Sequence, residues 1–324
     1  MQNPPSPRTS FLGYGACALA GSLWGTGFYW GRIAMNEMSV EHMVLYRFLF
    51  ASIGMLPLIV ANRRRFRLTP TETRILLISA AFGIPVQFLL QFHGLALTTV
   101  SHAALMVGSM PVLLAAAAAL FAHERLDAIG WLALAASTAG AALIVLGGHH
   151  GPAAKGQPTL AGDLLVVLSL VTALAWILLS KKLMLTHSPP VVTSYSILAG
   201  TAMLAIVVLG PWALNPLTHR HAAPMPFAHI SPFAWVALAL SGLFCTALTT
   251  LLWNWGIHHV PASRAGVFLN IEPALGSYLG VRLLGEHLGP YAWFGGALIL
   301  AAAITLTTRH HPADSTTTPT ILLE

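Results

Sequence analysis

Apolar residues in this chain collect into long runs that short polar segments separate. Each run has about 18 to 23 residues, the length at which an α-helix spans the hydrocarbon core of a bilayer. The pattern predicts an all-α fold, a polytopic membrane protein with ten transmembrane helices. The predicted helices cover residues 12–31, 42–61, 74–95, 100–122, 128–147, 162–180, 191–211, 233–255, 263–284 and 290–307.

The composition excludes an ordinary soluble domain. Hydrophobic residues make up 56% of the 324 residues, charged residues only 8%, and the mean hydropathy is +0.73. The net charge of +6 does not indicate a nucleic-acid partner, because most Lys and Arg residues lie in short segments beside the apolar runs, where they set membrane orientation. With the N-terminus in the cytoplasm, eleven of the 16 lie inside and four outside, so we expect both termini to be cytoplasmic.

The chain contains an internal repeat at a constant offset of 162 residues. The matching residues are Gly94, Ser101, Ala103, Pro111, Glu124 and Trp131 with Gly256, Ser263, Ala265, Pro273, Glu286 and Trp293. Each copy holds five predicted helices, and because five is odd, the second copy must enter the membrane from the opposite face. We therefore predict two inverted five-helix repeats. The predicted divisions are a polar tail (1–11), the first repeat (12–148), a linker (149–161), the second repeat (162–307) and a disordered tail (308–324).

Glu272 lies near the middle of the ninth predicted helix. An ionised side chain at that depth costs roughly 3 kcal/mol, so it must be paired, hydrated or protonated. Pro273 removes a helix hydrogen-bond donor and is expected to kink the segment. The corresponding residue of the first half is Met110, so only one half carries the carboxyl group. We expect Glu272 to couple transport to protons or to bind a solute amine; the alternative is a structural hydrogen bond.

Four further polar or aromatic residues are candidates for a cavity wall. Gln87 and Gln91 are four residues apart and share one face of the third predicted helix, although amides at such positions also join helices. Asn270 stands beside Glu272 with the same two interpretations. Trp253 corresponds to Gln91 in the repeat, and it either faces the same cavity or lies at the membrane interface.

Arg47 and Trp24 complete this set. Arg47 lies within the second predicted helix, where it either extends to the headgroups or pairs with Glu272 or with a solute carboxylate. Trp24 lies among closely spaced glycines, which indicate close helix packing as well as a cavity.

Other polar residues indicate structure rather than chemistry. Glu124 and Glu286 end matched helices, and their repetition favours a helix-end or interhelical bond. His93 and His102 are the only histidine pair with a suitable position for a metal. The sequence contains no nucleophile triad, phosphate-binding glycine loop or nucleotide-binding domain, so we predict no cofactor, no metal and no enzymatic activity.

The ordered motifs resemble the EamA-type transporters of the drug/metabolite transporter superfamily. They are Trp24-Gly25 with Arg32, Arg47-Phe48, Pro111 with Glu124-Arg125, and Asn270-Ile271-Glu272-Pro273 with Gly285-Glu286. The resemblance implies a central cavity between two halves, export of small metabolites or toxic compounds, and a bacterial inner membrane. It adds Trp176 as a candidate for the cavity wall, although Trp176 stands closer to Lys181 than is usual in the family.

These observations favour a secondary transporter that exports amino-acid-like or amphiphilic solutes by alternating access. The expected partners are a small solute, protons and membrane lipids, in a monomer or a homodimer. A membrane-embedded enzyme acting on lipid-linked substrates is the alternative, and it would need a second deep catalytic group. A membrane scaffold without transport activity is the third possibility.

Overall fold

The computed structural model describes residues 7–62, 67–121, 128–147, 158–218, 230–259 and 266–308. All regular structure in these ranges is helical, which confirms the predicted all-α class. The α-helices are α1 (Pro7–Met35), α2 (Val40–Asn62), α3 (Pro70–Ala81), α4 (Gln87–Ala96), α5 (Val100–Val107), α6 (Met110–Phe121), α7 (Ala128–Gly147), α8 (Leu160–Leu183), α9 (Pro189–Thr218), α10 (Pro232–Ala239), α11 (Thr249–His259), α12 (Ile271–Leu283) and α13 (Pro290–Thr308).

Polar residues between the apolar runs start several helices. Thr69, Thr99, Thr159 and Ser231 each accept a hydrogen bond from the backbone N–H three residues later. Such a cap satisfies one otherwise unpaired donor and stabilises a helix by about 1 kcal/mol. At α3 the Glu72 carboxylate also accepts from the Thr69 backbone N–H at 2.9 Å, which completes a reciprocal cap.

Two long helical segments contain π-helical turns. Residues Phe82–Val86 join α3 to α4, and residues Leu240–Leu248 join α10 to α11. Pro85 lies in the first of these turns, and because proline cannot donate, the regular hydrogen-bond ladder is broken there. At the repeat offset of 162, residues 82–86 correspond to residues 244–248, which lie in the second turn.

The packing of the helices leaves apolar side chains both inside and outside the bundle. Helix α1 packs against α11 and α12, α8 against α4 and α5, α2 against α9, and α7 against α13. Phe48 and Phe92 are among the largest fully buried side chains. Phe11, Ile206 and Phe294 are at least 70% exposed, as expected for residues that face lipid.

Five helical segments of the described chain are long and apolar enough to cross a membrane, and three shorter segments are also apolar. The five are Val40–Asn62, Pro70–Ala96, Leu160–Leu183, Pro189–Gly210 and Pro232–Gly256, and the three are Val100–Leu113, Ala128–Ile144 and Pro290–Thr305. These segments agree with an integral membrane protein. The count of ten spans stays a prediction.

Some predicted boundaries differ from the structure. The fourth predicted helix is interrupted between Val107 and Met110, and the first helix already begins at Pro7, inside the predicted polar tail. Most of the predicted linker and of the C-terminal tail lies outside the described residues, as do Glu124 and the first residues of the ninth predicted helix.

Candidate functional site

Glu272 lies at the start of α12 rather than inside a continuous helix. The 3₁₀ turn Gly266–Asn270 leads directly into α12, which begins at Ile271. The helix is therefore irregular just before Pro273, and the proline kink stays a prediction. Pro273 occupies the first turn of α12, where a backbone N–H would have no helical partner and proline costs nothing. Because the N-terminus of a helix carries a partial positive charge, a carboxylate in this turn is favoured.

Arg47 is buried, and it does not extend to the headgroups. It is 5% exposed, and its Nε donates to Thr246 Oγ1 at 3.2 Å, within the second π-helical turn. The guanidinium carbon lies 5.2 Å from the centroid of the Phe88 ring and 5.3 Å from that of Phe92, which is the range of cation–π attraction. A Cβ on Gly27 would lie 3.6 Å from Nη2, so α1 covers the guanidinium.

Arg47 and Glu272 interact electrostatically. Among the described residues, the ion pairs within 4.0 Å all involve histidine, and neither Arg47 nor Glu272 belongs to one. The guanidinium and the carboxyl group are thus near each other without direct contact. A buried arginine without a directly paired carboxylate is costly.

Helix α1 approaches α12 closely beside Glu272 and contributes Trp24 to an aromatic pair. A Cβ on Gly25 would lie only 2.9 Å from the Glu272 carbonyl oxygen and 3.0 Å from Leu275 Cβ, so this close approach of α1 to α12 requires glycine. Beside it, the ring of Trp24 packs against that of Trp253, with 5.6 Å between centroids and planes 56° apart. We call Trp24, Arg47, Trp253 and Glu272 the Arg47–Glu272 site.

Gln87, Gln91 and Trp176 lie on the α4 side of the bundle. Gln87 and Gln91 are buried on α4, at 9% and 8% exposure. The Trp176 ring packs so closely on Gly83 that a Cβ there would overlap it. Gln87 Oε1 and Trp176 Nε1 are buried and have no hydrogen-bond partner among the described residues. No hydrogen bond or ion pair joins Gln87 or Trp176 to Glu272 in the described part of the chain. Asn270 is buried at the end of the 3₁₀ turn that precedes Glu272.

Several residues of the site have no clear sequence signal. In the sequence, Thr246 and Cys245 are ordinary members of an apolar run. In the structure, Thr246 accepts a hydrogen bond from Arg47, and Cys245 Sγ lies 3.1 Å from Thr26 Oγ1. Phe88 and Phe92 follow the two glutamines at the same spacing of four residues. That regular spacing is the one signal that could have indicated an aromatic stripe beside the glutamines.

The two histidines considered for a metal site have different partners. His93 Nε2 lies 3.2 Å from Glu41 Oε1, and His102 Nδ1 lies 3.6 Å from Asp163 Oδ2. The described residues contain no group of three or more His, Cys, Asp or Glu side chains suited to a metal ion. Glu286, by contrast, forms the helix-end contact that the repeat predicts, because its carboxylate accepts from the backbone N–H groups of Val100 and Ser101 at 2.7 and 2.8 Å.

An all-helical bundle with apolar outer faces and two opposite charges beside broken helices defines a polytopic membrane protein with an internal polar site. Discontinuous helices at such a site are a feature of secondary transporters. The model of the EamA-like transporter family matches residues 11–146 and 160–308. The chain belongs to this family, and it is a membrane transporter.

Known relatives are similar over almost their whole length. An uncharacterized transporter of Archaeoglobus fulgidus is 21% identical over 91% of this chain and 96% of its own length. The uncharacterized transporters YyaM and YetK of Bacillus subtilis are 22% and 21% identical, over 87% and 93% of this chain and 88% of each relative. A solved crystal structure aligns with 93% of this chain and 98% of its own, with a TM-score of 0.58 and 19% identity, which supports the fold.

Proposed function

We propose that the protein exports small organic solutes from the cytoplasm by alternating access and that Glu272 couples this export to protons. The observation that carries the proposal is the placement of Glu272 near Arg47 without direct contact. A carboxyl group in this position can exchange a proton for a solute amine. Binding of the proton then excludes binding of the solute amine, and this competition is the basis of antiport.

The proposed solute is an amphipathic zwitterion such as an amino acid with an apolar side chain. Arg47 is suited to a carboxylate, Glu272 to an amine, and the Trp24–Trp253 pair to an apolar or aromatic group. Gln87, Gln91, Asn270 and Trp176 are proposed as further polar contacts of the transport path. The unpartnered Gln87 Oε1 and Trp176 Nε1 offer one acceptor and one donor for this purpose.

Alternating access is proposed to come from two inverted five-helix repeats, residues 12–148 and 162–307, which together span the membrane ten times. The family model matches two successive segments of similar length. The packing of α1 on α11 and α12 has a counterpart in the packing of α8 on α4 and α6. The two π-helical turns also overlap at the repeat offset. These three features support an internal two-fold relationship.

The proposed location is a bacterial inner membrane, with both termini in the cytoplasm and a monomer or homodimer as the functional unit. The excess of Lys and Arg on the N-terminal side supports this orientation. The cluster Arg63, Arg64, Arg65 and Arg67 contributes most of the excess.

The test is solute uptake into proteoliposomes with and without an imposed pH gradient. Phenylalanine serves as the zwitterionic probe. The unaltered protein is expected to accumulate phenylalanine against its gradient when the pH gradient is present, and Glu272→Gln should abolish this accumulation. Glu41→Gln is the matched control, because Glu41 is partly exposed and bonded to His93. Gradient-driven accumulation by Glu272→Gln equal to that of the control would contradict the coupling role.

A further inference from the structure

The N-terminus of α5 is held by a carboxylate from the other predicted repeat. Glu286, in the segment between α12 and α13, accepts from the backbone N–H groups of Val100 and Ser101 at 2.7 and 2.8 Å and from the Ser101 hydroxyl at 2.7 Å. The first backbone N–H groups of a helix have no partner within that helix, and a carboxylate there also meets the positive end of the helix dipole. Glu286 therefore supplies part of the cap of a helix that belongs to the first predicted repeat.

The end of α12 sets the position of Glu286. Gly285 has a φ of 67°, a left-handed conformation that glycine adopts without strain, and the chain turns back toward the helix there. The Glu286 backbone N–H donates to the Gly280 carbonyl oxygen at 3.1 Å. A Cβ on Gly280 would overlap the Ser101 hydroxyl and the Glu286 carboxylate, so this contact requires glycine at position 280. The carboxylate is thus fixed to α12 while it binds α5.

The contact between α5 and α12 continues along both helices. A Cβ on Gly276 of α12 would lie 2.7 Å from Ala104 Cβ. A Cβ on Gly108, just after α5, would lie 3.2 Å from Pro273 Cβ. Because carbon atoms in contact are normally about 3.5–4.0 Å apart, the two helices approach as closely as glycine allows.

Helix α1 packs on α12 in the same way. A Cβ on Gly21 would overlap the Phe268 carbonyl oxygen, just before α12, and a Cβ on Gly25 would lie 2.9 Å from the Glu272 carbonyl oxygen. A Cβ on Gly276 would also lie 3.3 Å from the Gly25 carbonyl oxygen, so α1, α5 and α12 all meet at this glycine. We call these three helices the three-helix unit.

The attachment of the chain changes in the loop between α4 and α5. This loop is bonded to the start of α8, because the Thr159 backbone N–H and hydroxyl donate to the Leu97 carbonyl oxygen at 3.0 and 2.7 Å. The Thr98 hydroxyl donates to Asp163 Oδ1 at 2.5 Å, also on α8. Arg32 of α1 reaches the loop from the other side and donates to the Thr98 carbonyl oxygen at 2.7 Å. From the first residue of α5 onward, the chain is bonded to Glu286 instead, so a change in orientation between α4 and α5 would fall on this loop.

We propose that the three-helix unit moves as one rigid body during transport and that Glu286 is the residue that fastens α5 to it. The moving bodies then differ from the two predicted repeats, because the unit takes two helices from the first repeat and one from the second. Val100 and Ser101 are fully buried, so withdrawal of Glu286 would leave two buried N–H groups without a partner, which is costly. The inference rests on the proposed alternating access, but it depends on neither the solute nor proton coupling.

Hydrogen exchange tests the three-helix unit without a solute. The full chain is studied in nanodiscs, and rates are corrected for their intrinsic values. The amides of Val100 and Ser101, which bind the carboxylate, and the amide of Glu286, which binds α12, should be protected to the same degree within about threefold, because the unit opens only as a whole. If Val100 and Ser101 exchanged about tenfold faster than Glu286, α5 would separate from α12 by itself and the proposal would be overturned.

Two variants make the exchange measurement specific. Glu286→Gln should lower the protection of the Val100 and Ser101 amides by about tenfold, the equivalent of one charge-assisted hydrogen bond. Glu41→Gln is the matched control, because the Glu41 carboxylate faces His93 instead, and it should leave these amides as they are. Unchanged protection in Glu286→Gln would show that the carboxylate does not fasten α5.

A reversible metal bridge gives a second test. Ser101 Oγ and Glu286 Oε2 lie 2.7 Å apart, so the thiols of the double variant Ser101→Cys/Glu286→Cys can share one cadmium ion, a soft metal that prefers thiolate ligands. Without metal, phenylalanine transport in proteoliposomes should fall by about tenfold, because α5 is no longer fastened. Cadmium should restore transport, and a chelator should reverse the restoration.

The single variants Ser101→Cys and Glu286→Cys are the controls for the bridge, and cadmium should not restore transport in either. Stronger inhibition of the double variant by cadmium would mean that the contact must open in each cycle, and it would overturn the proposal. Equal transport by the double variant without metal and by the unaltered protein would show that Glu286 fastens nothing.

Failure of the proposed function gives a different result. If the unaltered protein did not transport phenylalanine, the proposed solute would be wrong, while the exchange measurement would still decide whether the three-helix unit exists. The same measurement decides if the double variant does not fold. Glu272→Gln should keep the equal protection of the three amides, so loss of coupling in that variant would leave the three-helix unit intact.

Discussion

Arg47 on α2 donates a hydrogen bond to Thr246 in the second π-helical turn, 3.2 Å away and 199 residues later in the chain. A regular α-helix pairs its backbone groups internally, whereas a π-turn widens the helix locally and is frequent at functional sites. The guanidinium is held on one side by this threonine and on the other by the Phe88 and Phe92 rings. The cation is thereby fixed in position, and we propose that its remaining donors bind the solute.

Replacement of Arg47 should affect solutes according to their charge. Arg47→Met should reduce phenylalanine transport by about 100-fold, because a truncated partner in a buried charge pair typically costs about 2–5 kcal/mol. Phenethylamine, which lacks the carboxylate, should lose much less. Transport of both compounds in proteoliposomes tests this, with the exposed Arg282→Met as the control. An equal loss for both compounds would contradict a carboxylate-binding role for Arg47.

Thr246 is expected to position the guanidinium rather than to touch the solute. Thr246→Val keeps nearly the same shape but removes the acceptor for Arg47 Nε. We therefore expect the KM for phenylalanine to rise several-fold in Thr246→Val. In Thr246→Ser, which keeps the hydroxyl, the KM should stay near the original value. Thr250→Val is the matched control, because the Thr250 hydroxyl donates only to the Thr246 carbonyl oxygen of its own helical segment. If Thr250→Val raised KM as much as Thr246→Val, the effect would come from helix structure.

Two glycines on α1 give a matched test of the close approach between α1 and α12. Gly25→Ala should destabilise the protein by about 1–3 kcal/mol, the usual cost of overpacking, because the new methyl group would press on the Glu272 carbonyl oxygen. Gly15→Ala should be neutral or stabilising by up to about 1 kcal/mol, since nothing lies within 4 Å of the added Cβ and alanine favours helix. Thermal unfolding in detergent compares the two, and equal midpoints would contradict the packing.

Glu37 should give a pH-dependent contact outside the membrane-spanning helices. Its carboxylate accepts from the Ser231 hydroxyl and backbone N–H, each at 2.6 Å, and these bonds lower the pKa of Glu37 below its ordinary value. A group with a depressed pKa in the folded state stabilises it at pH values above the unfolded pKa, about 4.3 for glutamate. The contribution is lost as the pH falls through the lower folded value.

Exchange of the Ser231 amide measures this contact. Protection relative to the intrinsic rate should be constant at neutral pH and fall in acid, and Glu37→Gln should lower it at neutral pH. The amide of Ala234 serves as the internal control, because it donates to the Ser231 hydroxyl instead. Ser231 protection in Glu37→Gln equal to that of the unaltered protein at neutral pH would show that the carboxylate does not hold this amide.

Apolar run length predicted most of the helices well. The predicted helix over 128–147 coincides with α7, and the predicted helix over 162–180 lies within α8. Run length could not predict the π-helical turns or the new helix start at Ile271. These breaks exchange one backbone hydrogen-bond pattern for another without changing hydrophobicity.

The site was predictable only in part. Glu272 and Arg47 could be singled out because ionisable residues within apolar runs are rare and costly. Thr246 and Asp163 could not. Threonine is common in apolar helices, and an acid in the first turn of a helix normally indicates a favourable interaction with the helix dipole. Their contacts join residues that are 65 or more positions apart, which only the folded chain brings together.

The central claim, that a solute and a proton compete for Glu272, can be tested most directly by counting protons released when the solute binds. Purified protein in weakly buffered detergent is mixed with phenylalanine, and a pH-sensitive dye records the change, with Glu41→Gln as the control. The account predicts proton release by the unaltered protein and by the control, and none by Glu272→Gln that still binds phenylalanine. Equal release by Glu272→Gln, or binding without release by the unaltered protein, would contradict it.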